Sequence, residues 1–284
     1  MPQPDLELLA AALGAPPHSW ERITSGGYTR SERWRVETAD GRAFVKQAED
    51  EGSLHMLRRE AVVYADVHGS FLPGYVGFAD SGTRAVLAIE LLEHAHWPPP
   101  YPDDTTPLFD SLEPIAAAPV PPGLPALSQP RRWEEIAVEP EPLLGLGVCT
   151  REWLDRSLPT LIAAEKAAAI EGDDLVHGDV YSGNIGFVDS RAVLVDWGAC
   201  VRGSRWTDVA FAVLSVRVEG GILPTLAFPE ERAYAAATAG LLALEAPKPL
   251  PEWSPPDSRL RQDMTADLGH ALRWAAEELE LPLP

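Results

Sequence analysis

Cysteine is almost absent from this chain, with two among 284 residues, Cys149 and Cys200. They lie far apart and lack the spacing of metal ligands, which argues against a disulfide framework and for a reducing compartment. Long hydrophobic runs are missing as well. No stretch approaches the roughly 20 apolar residues that cross a bilayer. The opening MPQPDLELLAAALGAPP has no basic flank and only a short apolar run, so it does not read as a secretory signal. A soluble, cytoplasmic protein with no membrane association is expected. Basic residues are scarce: 23 Lys and Arg stand against 43 Asp and Glu, a formal charge of −20. Such a balance repels nucleic acid and anionic surfaces and attracts cations. Solubility alone also explains it, so a cationic substrate stays one of two readings. No internal repeat is found, and nothing implies a protein partner.

What is present suffices for one large domain or two lobes. Hydrophobic residues make up 45%, an ordinary share for a chain with a packed core. A short helix pattern (Leu6, Leu8, Leu9, Leu13) precedes β-rich runs over 20–47, split by the hairpin signal Asp40-Gly41. A helix is expected over LHMLRREAVVYADVH, with Leu54, Leu57, Ala61 and Tyr64 on one face. YVGFADSG and RAVLAIELLE read as a further strand pair. The first 93 residues thus spell β-β-β-α-β-β. Prolines then crowd residues 97–142, which predicts an irregular segment with at most short helices, either a linker or an ordered cover for a cleft. A long helix pattern runs from Thr150 to Ile170, with Pro159 expected to kink or break it. Helical patterns dominate the remainder.

One stretch concentrates chemistry: VHGDVYSGNIGFVDSRAVLVDWG, residues 176–198. Asp179 follows a short apolar run, Asn184 comes after four more residues, and Asp196 ends the second strand of a hairpin turning at Asp189-Ser190. That spacing puts all three on loops at one edge of a small sheet. A carboxylate and an amide carbonyl suit Mg²⁺ shared with nucleotide phosphates, and a second carboxylate could orient or accept a hydroxyl proton.

The pattern H-G-D-x4-N, eleven residues, D-W-G resembles the catalytic and metal-binding loops of the aminoglycoside phosphotransferase, or protein-kinase-like, family. The resemblance implies an α+β, bilobal fold: a small β-rich N-lobe over 1–93 that binds nucleotide, and a larger mainly helical C-lobe over 94–284 that includes the proline-rich segment 97–142. It implies Asp179 as the catalytic aspartate, Asn184 and Asp196 as Mg²⁺ ligands, His177 as a support of the loop, and Asp208 as its buttress from the following helix. Two upstream residues agree with it. FVKQ supplies Lys46 on a strand for the phosphates, and LRREAVV supplies Glu60 on a helix to orient that lysine, whereas Glu51 precedes the expected helix. In TSGGYTRSERW, Gly26 and Gly27 can take positive φ and bring backbone N–H groups, with Ser25 or Thr29, near phosphate. By position, the Glu90 carbonyl and Leu92 N–H would meet the base in a hinge lined by Ile89. The resemblance is weakest across 97–142 and beyond 215, where acceptor pockets are built.

The expected activity is an ATP-dependent, or GTP-dependent, phosphotransfer to a hydroxyl of a small molecule. An aminoglycoside or another cationic antibiotic is one candidate acceptor, with Asp263, Asp267, Glu277 and Glu278 as candidate carboxylates around it. A kinase of a choline-, homoserine- or sugar-type metabolite is the alternative, as is a nucleotide-binding protein without catalysis. A protein kinase fits poorly, because glycine replaces the arginine of H-R-D and no long activation segment separates Asp196 from Asp208.

Overall fold

The computed structural model describes residues 3–24 and 26–284. Helix α1 (Leu6–Leu13), capped by the Asp5 carboxylate at Leu8 N, leads into strands β1 (Ser19–Arg22), β2 (Glu32–Thr38) and β3 (Gly41–Ala48). After helix α2 (Glu51–Asp66) come β4 (Tyr75–Asp80) and β5 (Ala85–Glu90). The five strands form one antiparallel sheet in the order β1-β2-β3-β5-β4. Alternation along the strands sorts the side chains onto two faces. Trp34, Val36, Ala43, Val45, Val86 and Ala88 pack under α1 with Leu9 and Ala12. Leu87 and Ile89 face the other way, into a cluster with Leu54, Leu57, Ala61 and Tyr64 of α2.

Helix α2 begins earlier than its apolar pattern. The Asp50 carboxylate accepts from Ser53 N at 2.9 Å, supplying the cap that starts the helix at Glu51. Glu51 therefore lies inside the helix rather than before it. It is exposed, while Glu60 occupies the buried face.

The second part of the chain is built from α3 (Thr106–Ala116), α4 (Arg132–Val138), α5 (Glu141–Leu144), α6 (Arg151–Ala167) and the strands β6 (Asp174–Val176), β7 (Ile185–Val188), β8 (Arg191–Leu194) and β9 (Val201–Gly203). Helices α7 (Trp206–Val218), α8 (Glu231–Glu245) and α9 (Leu260–Glu278) complete it. β7 and β8 form a hairpin, and β6 pairs with β9, both antiparallel. An alanine-rich face of α8 lets α6 and α9 approach closely, in a cluster holding Trp133, Leu154, Leu161 and Trp274.

Of the two readings of residues 97–142, a linker or an ordered cover, the structure has the ordered one, and α3 within them runs for 11 residues, longer than the short helices expected. Tyr101, Leu108, Leu112 and Ile115 are buried in the same cluster as Leu175, Ile185 and Leu194, and Tyr101 Oη lies 2.8 Å from Ser215 Oγ. Tertiary burial thus orders a segment whose proline content speaks for irregularity. Helix α6 continues through Pro159 without a break. Pro159 sits on the exposed side with Asp155, so the carbonyl that loses its intrahelical donor can be hydrated.

Candidate active site

Lys46 sits on the α2 face of the sheet, opposite Leu87 in the β3–β5 ladder. Its Nζ lies 3.1 and 3.0 Å from the two carboxylate oxygens of Glu60 and 3.0 Å from Asp196 Oδ1. Glu60 is 2% exposed at its side chain and Asp196 is 38% exposed, so one acid anchors the lysine from within and the other faces the cleft. Burial works against the lysine's charge, but Asp196 and Glu60 outweigh it and hold the pKa above the ordinary lysine value. Burial likewise pushes the Asp196 carboxyl up, and Lys46 reverses this to a net lowering. Glu60 is pushed up by burial against the pull of Lys46. With both oxygens in contact with the ammonium, the pair stays ionised.

The loop after β6 is held from below by Asp208 of α7. Its carboxylate accepts from His177 N at 2.7 Å and from Gly178 N at 2.9 Å. Burial pushes that carboxyl up to about 7, and the two N–H donors oppose the rise. His177 is fully buried. Its Nδ1 accepts from Asp179 N at 3.2 Å, and its Nε2 meets the Val195 carbonyl at 3.0 Å. That pattern assigns the proton to Nε2, and burial pushes the imidazole down to about 4, so it is neutral. Trp197 packs edge-on against the ring at 4.5 Å.

Gly178 explains why H-G-D carries glycine. Its φ is +79°, and a Cβ there would come within 2.7 Å of the Ala199 carbonyl oxygen. No other residue combines that backbone with that contact. Its structural role was not read from the sequence; the signal available was a glycine wedged between two functional residues.

Asp179 and Asp196 reach the same cleft from two loops tied together at the open end of the β7–β8 hairpin, where Val195 N donates to the Asn184 carbonyl at 3.0 Å. Asp196 has φ +66° and ψ +58°, a costly conformation for a non-glycine residue that is a common mark of a functional position. Asn184 Nδ2 donates to the Asp179 carbonyl at 3.0 Å and to its carboxylate at 2.8 Å. Desolvation pushes the Asp179 carboxyl up to about 7; Asp196 adds to the rise and the Asn184 amide opposes it. With Nδ2 so committed, Asn184 Oδ1 turns away from Asp179. An amide oxygen and a cleft-facing carboxylate are hard donors, which fit Mg²⁺ shared with phosphate. Among the described residues no group of three or more His, Cys, Asp or Glu could hold a metal alone.

Of the expected phosphate loop, Ser25 lies outside the described residues. Gly26 and Gly27 both have positive φ, +72° and +75°, and Thr29 is half-buried. Ile89 is buried at the end of β5, Glu90 closes the strand, and Leu92 follows it. Glu90 N donates to the Gly74 carbonyl at 2.7 Å.

Acidic groups gather at the mouth of the cleft. Tyr28 Oη donates to Asp263 Oδ2 at 3.0 Å, joining the glycine loop to α9. Burial, Asp263, Asp267 and Asp179 all push its hydroxyl well above its ordinary value. The Asp267 carboxyl is pushed up to about 6 by burial and by its neighbours Asp263 and Glu219. Glu277 instead pairs with Arg217 at 2.9 Å, and Glu278 titrates among Glu231, Arg217 and Arg232. Of the four acids expected around an acceptor, Asp263 contacts the glycine loop through Tyr28 and has Asp267 as its neighbour, whereas Glu277 is taken by Arg217. Glu219, at the end of α7, joins Asp263 and Asp267 and carries no motif that would have revealed it.

The sequence model of the phosphotransferase enzyme family matches residues 19–247. No curated protein matches the chain. Among solved structures, the chain is similar to a thermostable variant of aminoglycoside phosphotransferase APH(4)-Ia in complex with ADP and hygromycin B. The TM-score is 0.60 at 15% identity, over 97% of this chain and 98% of that one. It is also similar to spectinomycin phosphotransferase APH(9)-Ia in complex with ADP and spectinomycin, with TM-score 0.57 and 13% identity over 93% and 92% of the two chains. A fructosamine-3-kinase homologue from Thermobifida fusca gives TM-score 0.57 and 20% identity over 94% and 97%. These likenesses describe a shared fold, with a β-sheet N-terminal part and a helical C-terminal part.

Proposed function

The chain belongs to the phosphotransferase enzyme family, and from that premise we propose that it moves the γ-phosphate of ATP or GTP to a hydroxyl group of a small molecule. One observation carries this reading: Lys46 is bonded at once to Glu60 of α2 and to Asp196, beside the Asp179–Asn184 pair. We assign the nucleotide to residues 1–93 and the acceptor to residues 94–284. The glycine turn at Gly26 and Gly27, with Ser25 and Thr29, and Lys46 would hold the phosphates. The Glu90 carbonyl and Leu92 N–H, lined by Ile89, would meet the base.

Asn184 Oδ1 and Asp196 are the groups that would hold Mg²⁺, whose charge, when bound, screens phosphate oxygens. Asp179 aligns the acceptor hydroxyl. As the bond between the γ-phosphorus and its bridging oxygen breaks, a new phosphorus–oxygen bond forms to the acceptor, and its proton passes to the Asp179 carboxylate. The transition state of such transfers is loose, so alignment and charge dominate over deprotonation. His177 and Asp208 act on the loop backbone, fixing Asp179 before substrate arrives.

For the acceptor, Asp263 on Tyr28, its neighbour Asp267, and Glu219 on Ser182 of the Asp179 loop support a cationic or amino-bearing molecule. The test is ADP or GDP release with Mg²⁺-ATP or Mg²⁺-GTP across aminoglycosides, other hydroxylated antibiotics, amino alcohols and neutral sugars. Turnover is expected with a cationic member and to be lost in Asp179→Ala. Turnover only with neutral or anionic acceptors would overturn the acceptor class. Nucleotide binding without turnover on any acceptor would favour a binding protein.

A further inference from the structure

Arg33 stands directly across the β2–β3 ladder from Lys46. Residues paired in this way share a face, and Trp34 and Val36, which alternate with Arg33, are buried under α1 on the other face. Arg33 therefore lies on the same side as Lys46, close enough to Asp196 to feel its charge. Its guanidinium is tucked beneath the glycine turn: a Cβ on Gly27 would lie 1.9 Å from Nη1 and 3.2 Å from Nη2. A side chain at Gly27 would have to displace it.

The two cations are not equivalent. Lys46 is matched by two carboxylates. The nearby Glu32 is taken by Arg22, at 2.5 and 2.7 Å, and the Arg33 Nε is buried with no hydrogen-bond partner. A like-charged pair side by side on a sheet is unfavourable, and the unpartnered Nε adds to that cost. A polyanion between the two cations relieves their repulsion. A guanidinium cannot discharge by losing its proton and offers a fork of donors that matches phosphate oxygens. Arg33 thus lacks the direct carboxylate partners that Lys46 has, and feels Asp196 and Glu32 only as neighbouring charges.

We propose that Arg33 is a second phosphate-binding cation, a nucleotide-positioning residue that grips the phosphate chain from β2 while Lys46 holds it from β3. This rests on the nucleotide-dependent reading above. The full-length protein, with Arg33→Met and Arg33→Lys variants, is titrated calorimetrically with Mg²⁺-ATP, Mg²⁺-ADP and adenosine, and each form is melted without ligand. Arg33→Met should bind ATP and ADP on the order of ten- to a hundredfold more weakly and adenosine as the wild type does. Arg33→Lys should fall between. The melting temperature of Arg33→Met should equal or exceed that of the wild type, because a methylene chain replaces an unpartnered charge. An unchanged ATP affinity overturns the proposal. So does an equal loss for adenosine and ATP, or a lowered melting temperature, either of which marks a structural role. A wild-type protein that binds no Mg²⁺-nucleotide removes the phosphotransfer reading itself, a failure visible before any variant is made.

Discussion

Asn184 grips Asp179 twice through one amide nitrogen, at the backbone carbonyl (3.0 Å) and at the carboxylate (2.8 Å). The side chain that fixes the proposed base thereby keeps its amide oxygen, the proposed cation ligand, out of that contact. The loop that carries Asn184 is tied through the Val195 N–H to the loop of Asp196, which in turn contacts the sheet lysine.

Asp179→Ala is expected to lower turnover by about 10²–10⁴, the range typical of a lost general base. Nucleotide binding should change little, because the proposal assigns the phosphates to other groups. Comparing kcat with the calorimetric affinity for Mg²⁺-ATP checks both parts. Wild-type turnover on an identified acceptor would end the assignment of Asp179.

Lys46→Met leaves Glu60 buried at 2% exposure with no counter-charge. Breaking a buried pair in this way costs about 3–5 kcal/mol. The sign with pH follows from Glu60, whose carboxyl burial pushes up and which in the variant loses the opposing lysine. A carboxyl raised above its unfolded value destabilises the fold as pH climbs through the folded value. The deficit of the variant should therefore be small near pH 5 and grow towards pH 8, as read by denaturant unfolding at each pH. A deficit independent of pH would show that Glu60 does not titrate with the fold.

The small sheet, its helix and the spacing of Asp179, Asn184 and Asp196 were legible because they are encoded locally. Period-2 alternation sorts Trp34 and Val36 from Arg33, Asp40-Gly41 marks the turn, and the hairpin at Asp189-Ser190 brings its two ends together by construction. Lys46 and Glu60 were legible because a strand and the following helix must pack. Other features depend on contacts distant in sequence. Tyr28 meets Asp263 across 235 positions, and nothing local separates Asp263 and Asp267 from Glu277 and Glu278. Residues 97–142 carry proline punctuation that masks the buried Tyr101, Leu108 and Ile115. The early start of α2 hinges on one capping carboxylate, Asp50, and the continuity of α6 on Pro159 facing solvent.

Gly178→Ala would force a side chain into a backbone at φ +79° and against the Ala199 carbonyl at 2.7 Å. Neither can relax cheaply, so a loss of at least about 2 kcal/mol is expected, together with reduced turnover as Asp179 shifts. Gly183→Ala is the control in the same loop. It has ordinary φ, and nothing lies within 4 Å of the added carbon, so its stability should stay within about 1 kcal/mol. Equal melting temperatures for the two variants would contradict the role given to Gly178.

His177 supplies the last test, through stability at acid pH. Its imidazole is neutral in the fold, with burial holding its pKa near 4 against an ordinary value of 6.5. A base whose folded pKa is depressed contributes stability that is present above the unfolded value and is lost as pH falls through the folded one. The window is therefore pH 6.5 down to 4, and the contribution is up to about 3 kcal/mol at about 1.4 kcal/mol per unit. His177→Gln cannot take up the proton, so its stability should fall less steeply than that of the wild type across this window, from a lower starting point at pH 7. Parallel curves for the two proteins between pH 6.5 and 4 would show that the imidazole is not held neutral. The orientation it gives Asp179, through Nδ1 accepting from the Asp179 N–H, would then need another source.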